Sequence, residues 1–178
     1  MLFKNRHSVH PNSIERISAM VYDEYQTDIG CLRFVLRENG TLVRILLTDH
    51  HWFTFKENNA VKKSSELGKP IRQQFQEYVG GERKDFELPF ELEGTFFQKQ
   101  SWKALQAIPY GETKSYSEIA RLINRPQAIR AVGHANSINP FPIIFPCHRV
   151  IGKSKSLTGY AGGLEMKKQL LRIEGVFI

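Results

Sequence analysis

Cys147 and His148 stand side by side in Pro146-Cys147-His148-Arg149-Val150, which follows the apolar run Pro142 to Phe145. A thiol attacks carbon as its thiolate, and imidazole is the side chain that most readily exchanges a proton near neutral pH. Read as a short buried strand, the apolar run would present Cys147 where strand gives way to turn, with proton-handling chemistry beside it. The pair also has a structural reading. Free cysteine packs as a small buried hydrophobe, and neighbours on a strand point to opposite faces. Which reading holds depends on what surrounds the pair.

Cys31 is the other of two cysteines, and neither has a CxxC partner or the close Cys/His spacing of a zinc site. No metal and no cofactor is expected. His50-His51 reads as an exposed polar pair. With 178 residues, 41% of them hydrophobic, the chain can bury one good core, and no apolar run is long enough to span a bilayer. Met1 to His10 carries basic residues but no apolar run or cleavage site after them, so the expected compartment is the cytoplasm. The net charge of +7 is unevenly spread: residues 1 to 90 hold thirteen Lys/Arg against twelve Asp/Glu, and residues 91 to 178 hold twelve against six. The second half should therefore face an anion, and a nucleic acid is the natural candidate.

The elements that must position the pair fall into two regions, 1–92 and 93–178. The first predicts strands at Ile17 to Tyr22, Cys31 to Leu36 and Leu42 to Leu47, with Asn39-Gly40 as a hairpin turn. A polar loop is expected from Lys56 to Lys69, then a helix opened by Pro70 and stopped by Gly80-Gly81, then a short strand around Phe86 to Leu92. The second region is mainly helical. Thr95 caps a helix through Ala107 with Phe96, Phe97, Trp102 and Leu105 as its core side. Ser115-Tyr116-Ser117-Glu118 is a capping box, and a break at Asn124-Arg125-Pro126 leads to a second helix from Gln127 to about Asn136. At helical spacing Ile129 and Val132, flanked by Ala128 and Ala135, face inward, while Gln127, Arg130, Ala131, Gly133 and His134 face outward. This is the outline of a helix-turn-helix, which small outward residues would allow to approach a groove. The fold class is α/β: a small antiparallel sheet with a helix, followed by a helical region.

The Pro-Cys-His-Arg core, Ile138-Asn139-Pro140 before it, Gly159-Tyr160-Ala161-Gly162-Gly163 after it and the preceding helix pair resemble the O6-alkylguanine-DNA alkyltransferase family. The resemblance is dense from about Gly94 to the C-terminus; before that it is one of length and general pattern. It implies an N-terminal region like ribonuclease H, and a monomer that takes double-stranded DNA containing alkylated guanine by its minor groove and flips the damaged nucleotide into a pocket. It implies Cys147 as alkyl acceptor, His148 as base acting through a water, and Glu174 as the carboxylate fixing the imidazole. Tyr116 would stand beside the displaced nucleotide's phosphate and protonate the leaving base. Asn139 would brace the turn before Cys147. Tyr160 would line the base pocket, the Ala161 N–H would reach O6, and the carbonyls of Cys147 and Val150 would accept from the exocyclic amine. Arg130 matches the family's arginine finger, on a helix that also presents Gln127, Ala131 and Gly133 to DNA.

The product would be a thioether with no route back to the thiol, so each molecule would act once, on O6-alkylguanine or on O4-alkylthymine. Two other classes share parts of this pattern. A lesion-binding protein without catalysis would keep the helix pair, although relatives of that kind lack the cysteine. A Cys-His hydrolase would keep the dyad but has no use for the helix pair or the basic half.

Overall fold

The computed structural model describes residues 19–178; Met1 to His10 and the Ile17-Ser18 start of the first expected strand lie outside them. Strand β1 (Met20–Thr27) turns back into β2 (Gly30–Arg37), and the hairpin after it leads to β3 (Leu42–Leu46). Asn39 and Gly40 make that hairpin as expected. Gly40 takes a φ of 85°, and the Asn39 Oδ1 accepts from Thr41 N at 3.0 Å. β1–β2 and β2–β3 pair antiparallel, with an irregularity between Val35 and Leu36.

The polar stretch Lys56 to Lys69 is not a loop. Helix α1 (Asp49–Asn58) runs into it, β4 (Val61–Lys63) pairs parallel to β1 within it, and α2 (Ser65–Val79) begins before it ends. The sheet order is thus β3-β2-β1-β4. Composition misleads here because few of these residues need to be buried. Trp52 anchors α1, its ring 4.6 Å from that of Tyr22 and under the Arg33 guanidinium. β4 is an edge strand, where lysines are at home. Caps mark both helix starts: Thr48 accepts from His51 N, and Ser64 accepts from Leu67 N. Pro70 therefore lies inside α2 rather than opening it.

Alternation along β2 divides the packing. Leu32, Phe34 and Leu36 face the main core, whereas Val35 joins Trp52 and Leu46 on the opposite face. α2 covers the main face with Ile71, Phe75 and Tyr78, and its Gly68 lies so close to β1 that a Cβ there would overlap the Asp23 side chain. The strand expected around Phe86 to Leu92 is only a bridge between Leu42 and Phe90, since Pro89 cannot donate to a ladder.

Helix α3 (Phe96–Gln106) carries the capping box of Thr95 with Gln98, and its Trp102 and Leu105 are buried. Phe96 is 73% exposed, against expectation, because it is the first helical residue and the packed side begins a turn later. The two-residue strand β5 (Lys114–Ser115) leads into α4 (Tyr116–Leu122), where the Ser115–Glu118 capping box forms as read from the sequence. After Asn124, at φ 56°, α5 (Ile129–Ser137) starts two residues later than expected, so Gln127 and Ala128 belong to the turn. Its buried residues are Val132, Ala135 and Asn136, while Ile129, at the exposed first position, does not join the inward side. Trp102 ties α3 to α5 by donating its indole N–H to the Ala135 carbonyl at 2.8 Å.

Pro142 to Phe145 is not a strand. Prolines at 140, 142 and 146 remove donors, Ile143 takes a φ of 77°, and Cys147–Arg149 form one 3-10 turn before β6 (Val150–Ile151). β6 pairs parallel to β5, fastening the cysteine turn to the start of α4. Helix α6 (Leu164–Ile173) closes the chain, and core residues of both halves merge into one cluster. Among the described residues, no helix is long and apolar enough to cross a membrane.

Candidate functional site

Cys147 occupies the first position of the 3-10 turn, buried, with its N–H on the Phe145 carbonyl at 2.7 Å. Asn139 holds this geometry from eight residues upstream. Its amide nitrogen donates to Phe145 O at 2.7 Å and to Cys147 Sγ at 3.2 Å, while its oxygen accepts from Phe141 N at 3.0 Å. The bracing read from Asn139 is therefore present, with a direct contact to the sulfur in addition. Burial pushes the Cys147 thiol up to about 11, although the Asn139 hydrogen bond and the Lys167 charge pull the other way. At neutral pH it is a thiol, and attack requires a base.

The base lies next to it in sequence and is fully buried. His148 Nε2 stands 2.8 Å from Glu174 Oε1, and its Nδ1 has no partner among the described residues. Burial lowers the His148 pKa despite the Glu174 hydrogen bond, so the resting ring is neutral. With the ring proton on Nε2 facing the carboxylate, Nδ1 keeps a free lone pair. Glu174 is also buried, which disfavours its charge, yet hydrogen bonds from His148, Arg149 and Tyr78 outweigh that and hold its carboxyl down at about 2. Arg149 makes a two-point pair with it, Nε to Oε2 at 2.9 Å and Nη2 to Oε1 at 3.0 Å, and donates to the Ile108 carbonyl at 2.6 Å. Arg149 thus ties the cysteine turn to Glu174 and to the end of α3.

Cys147 opens on a pocket of about 420 Å³ lined by Tyr116, Gly133, Asn136, Tyr160, Ala161 and His51 among others. The Tyr160 ring stands edge-on to His148 at 6.4 Å, and its hydroxyl has no partner among the described residues. Tyr116 accepts at its hydroxyl from Thr158 at 3.2 Å. The Cys147 carbonyl already accepts from Val150 N, and the Val150 carbonyl from Lys167 Nζ at 2.6 Å; each keeps a second lone pair for a ligand. On the outer surface Gln127, Arg130 and Ala131 are exposed and Gly133 is half-buried where α5 passes Tyr116. A larger cavity of about 790 Å³ adjoins the pocket, sharing His51, Ser137 and Ala161 with it.

Four residues of the site escaped the sequence reading. Lys167 is fully buried, bridges the Val150 and Thr158 carbonyls at 2.6 and 2.7 Å, and is pushed down to about 8 by burial. Its signal was available: Lys167, Leu170, Leu171 and Glu174 follow the i, i+3, i+4, i+7 pattern of one helix face, so two charged residues lie on a buried stripe. Asn136 puts an amide with no partner among the described residues into the pocket wall. His51, read as a plain surface histidine, is exposed yet lines the pocket. Tyr78 reaches across from α2, its hydroxyl donating to Glu174 Oε1 at 2.5 Å and lying 3.3 Å from His148 Nε2.

Residues 96–176 match the family described as 6-O-methylguanine DNA methyltransferase, DNA binding domain. The constitutive methylated-DNA–protein-cysteine methyltransferase of Bacillus subtilis is 45% identical over 159 residues, covering 87% of this chain and 95% of that protein. A crystal structure of Mycobacterium tuberculosis O6-methylguanine methyltransferase superimposes with a TM-score of 0.78 at 39% identity, covering 87% of this chain and 92% of that one. The corresponding Mycobacterium tuberculosis structure in complex with DNA gives 0.75 at 39% identity over 86% and 92%. The Pyrococcus kodakaraensis O6-methylguanine-DNA methyltransferase gives 0.66 at 26% identity over 88% and 99%. On its sequence and on its whole architecture, the chain belongs to the methylated-DNA–protein-cysteine methyltransferase family.

Proposed function

We infer that this protein repairs DNA by direct reversal, moving the alkyl group of O6-alkylguanine onto its own Cys147. The observation that carries the assignment to Cys147 is the sulfur itself, at the edge of a base-sized pocket and next to a neutral imidazole with one free nitrogen. His148 takes the thiol proton through a water at Nδ1 and becomes an imidazolium held by Glu174. The thiolate attacks the alkyl carbon, the S–C bond forms as the C–O6 bond breaks, and the electron pair leaves with the purine, which takes a proton from Tyr116. Because the thioether is stable, one molecule performs one transfer.

The flipped base enters between Tyr160 and the cysteine turn, with the Ala161 N–H at O6 and the Cys147 and Val150 carbonyls at the exocyclic amine. The free amide of Asn136 adds a donor and an acceptor where a purine edge would lie. DNA partnership is supported by the positive second half and by the exposed face of α5. On this reading α4 and α5 form a helix-turn-helix set in the minor groove, with Gln127, Ala131 and Gly133 against the backbone and Arg130 in the stack vacated by the flipped nucleotide. The chain divides at about residue 92 into a sheet-bearing region of ribonuclease H type and the DNA-binding and transfer region, and it acts as a monomer. O4-alkylthymine is a secondary substrate. A thiol nucleophile without a disulfide partner suits the reducing cytoplasm.

Incubation with duplex carrying radiolabelled O6-methylguanine, followed by denaturing electrophoresis, tests the reading. One stoichiometric label stable on the protein is the expected result. Binding without label would instead make the protein a lesion sensor, and repeated turnover on an ester would make it a hydrolase.

A further inference from the structure

From the half of the molecule outside the DNA-binding match, the hydroxyl of Tyr78 reaches the buried His148–Glu174 pair. Tyr78 is fully buried on α2, where its stripe partners Ile71 and Phe75 pack on the sheet. Its ring is fixed by Phe86 at 5.3 Å and, edge-on, by Tyr110 at 6.3 Å. The short bond to Glu174 Oε1 makes the phenol the donor, so its oxygen is left as an acceptor toward His148 Nε2 at 3.3 Å. The Nε2–H therefore has two acceptors, the carboxylate and the phenol.

We propose that Tyr78 is a positioning residue of the alkyl transfer: it caps the Glu174 carboxylate and helps fix His148 as the tautomer whose free nitrogen serves Cys147. This rests on the His148–Glu174 relay proposed above. The groups facing the pair are Tyr78 from α2, Tyr110 and the Gly111 N–H from the turn after α3, Arg149 from the 3-10 turn, Tyr160 from the loop before α6, and Lys167 from α6. Of these, Tyr78 alone comes from the sheet-bearing half and supplies a neutral donor. A neutral donor tempers the carboxylate without adding a charge. Removing it leaves Glu174 a stronger partner for the imidazolium, which then holds its proton to higher pH.

Tyr78→Phe keeps the ring and deletes the hydroxyl. Single-turnover transfer measured from about pH 5.5 to about pH 9 should show the acid limb moved up by about one unit, with a loss of about ten-fold on that limb closing toward the alkaline plateau. A purely structural role would lower the rate equally at every pH, so an even loss, or a profile that superimposes on the wild type, overturns the proposal. In a Glu174→Gln background the same change should add little, and a full further loss overturns it too. If Tyr78→Phe does not fold, 3-fluorotyrosine incorporated at position 78, a stronger donor of the same shape, should move the limb the opposite way, and no movement is the overturning result. The wild type in parallel separates the readings: if it takes no label, the transfer chemistry fails, whereas normal labelling with an unmoved limb sinks Tyr78 alone.

Discussion

At the scale of single residues, the proposed chemistry turns on a thiol that burial keeps protonated and a neighbour whose Nδ1 has no partner among the described residues. Cys147→Ala should abolish transfer while leaving the fold and much of the DNA affinity, because the sulfur contributes nothing to the exposed basic surface. Intact-protein mass spectrometry of the wild type should show one added methyl within the peptide containing Cys147. Methyl on Cys31, or transfer in the alanine variant, would mean another acceptor. His148 and Glu174 are argued to act as one unit. Either His148→Ala or Glu174→Gln should slow single-turnover transfer about a hundred-fold, and the double variant should lose little beyond the worse single. Raising the pH toward the thiol's own range should restore part of the rate in His148→Ala, since the missing base is then replaced by solvent. Fully additive losses in variants that circular dichroism shows to be folded at the assay temperature would dissolve the relay.

At the scale of elements, the 3-10 turn and α5 divide the work. The turn is clamped on three sides, by the Asn139 amide, by the β5–β6 pairing and by the Lys167 bridge between the Val150 and Thr158 carbonyls. Such a clamp fixes the sulfur and the Cys147 and Val150 carbonyls before any ligand arrives, so on the proposed function little ordering is left to the moment of reaction. α5 is built differently, with Val132 and Ala135 turned inward and small residues around Arg130 on the outside. Arg130→Ala should slow repair of duplex DNA at least ten-fold and leave reaction with free O6-methylguanine almost unchanged, because only the duplex has a stack to fill. Rate constants measured on both substrates decide it, and equal losses would remove Arg130 from the finger role.

At the scale of the whole molecule, Glu174 is the meeting point. Its carboxylate collects His148 and Arg149 from the cysteine turn, the Gly111 N–H at 3.4 Å, and Tyr78 from the opposite half. Its folded pKa lies near 2, below the ordinary value of 4.5. A depressed carboxyl pKa contributes stability that is fully present above the unfolded value and is lost as pH falls through the folded one. The window for this group runs from about pH 4.5 down to about pH 2. The wild type should therefore melt well above Glu174→Gln at neutral pH, and the difference should shrink across that window. A gap that stays constant down to the acid end, in parallel thermal scans, would show that the charge on Glu174 contributes nothing to holding the halves together.

Much of this molecule was legible from local sequence. The Ser115–Glu118 box, the Thr95 cap and the Asn39-Gly40 turn each obey a rule that operates within four residues, and each forms as read. Family resemblance carried Cys147, His148 and Asn139 to positions that the structure brings within contact of one another or of a shared pocket. Local rules failed where a distant partner decides the outcome. Lys56 to Lys69 looks like loop by composition, yet β1 offers it a free edge and Ser64 caps a helix. Pro142 to Phe145 looks like a strand by hydrophobicity, yet its prolines leave too few donors for a ladder and the chain turns at Ile143. Sequence by itself determined the caps and the turns, because these depend on side-chain type and short spacing. Only the tertiary structure decided that Lys167 would bridge two carbonyls and that Tyr78, 96 residues from Glu174 in the chain, would donate to it. A helical stripe says which residues are buried, but not which buried polar groups meet, since that is fixed by how separate elements pack.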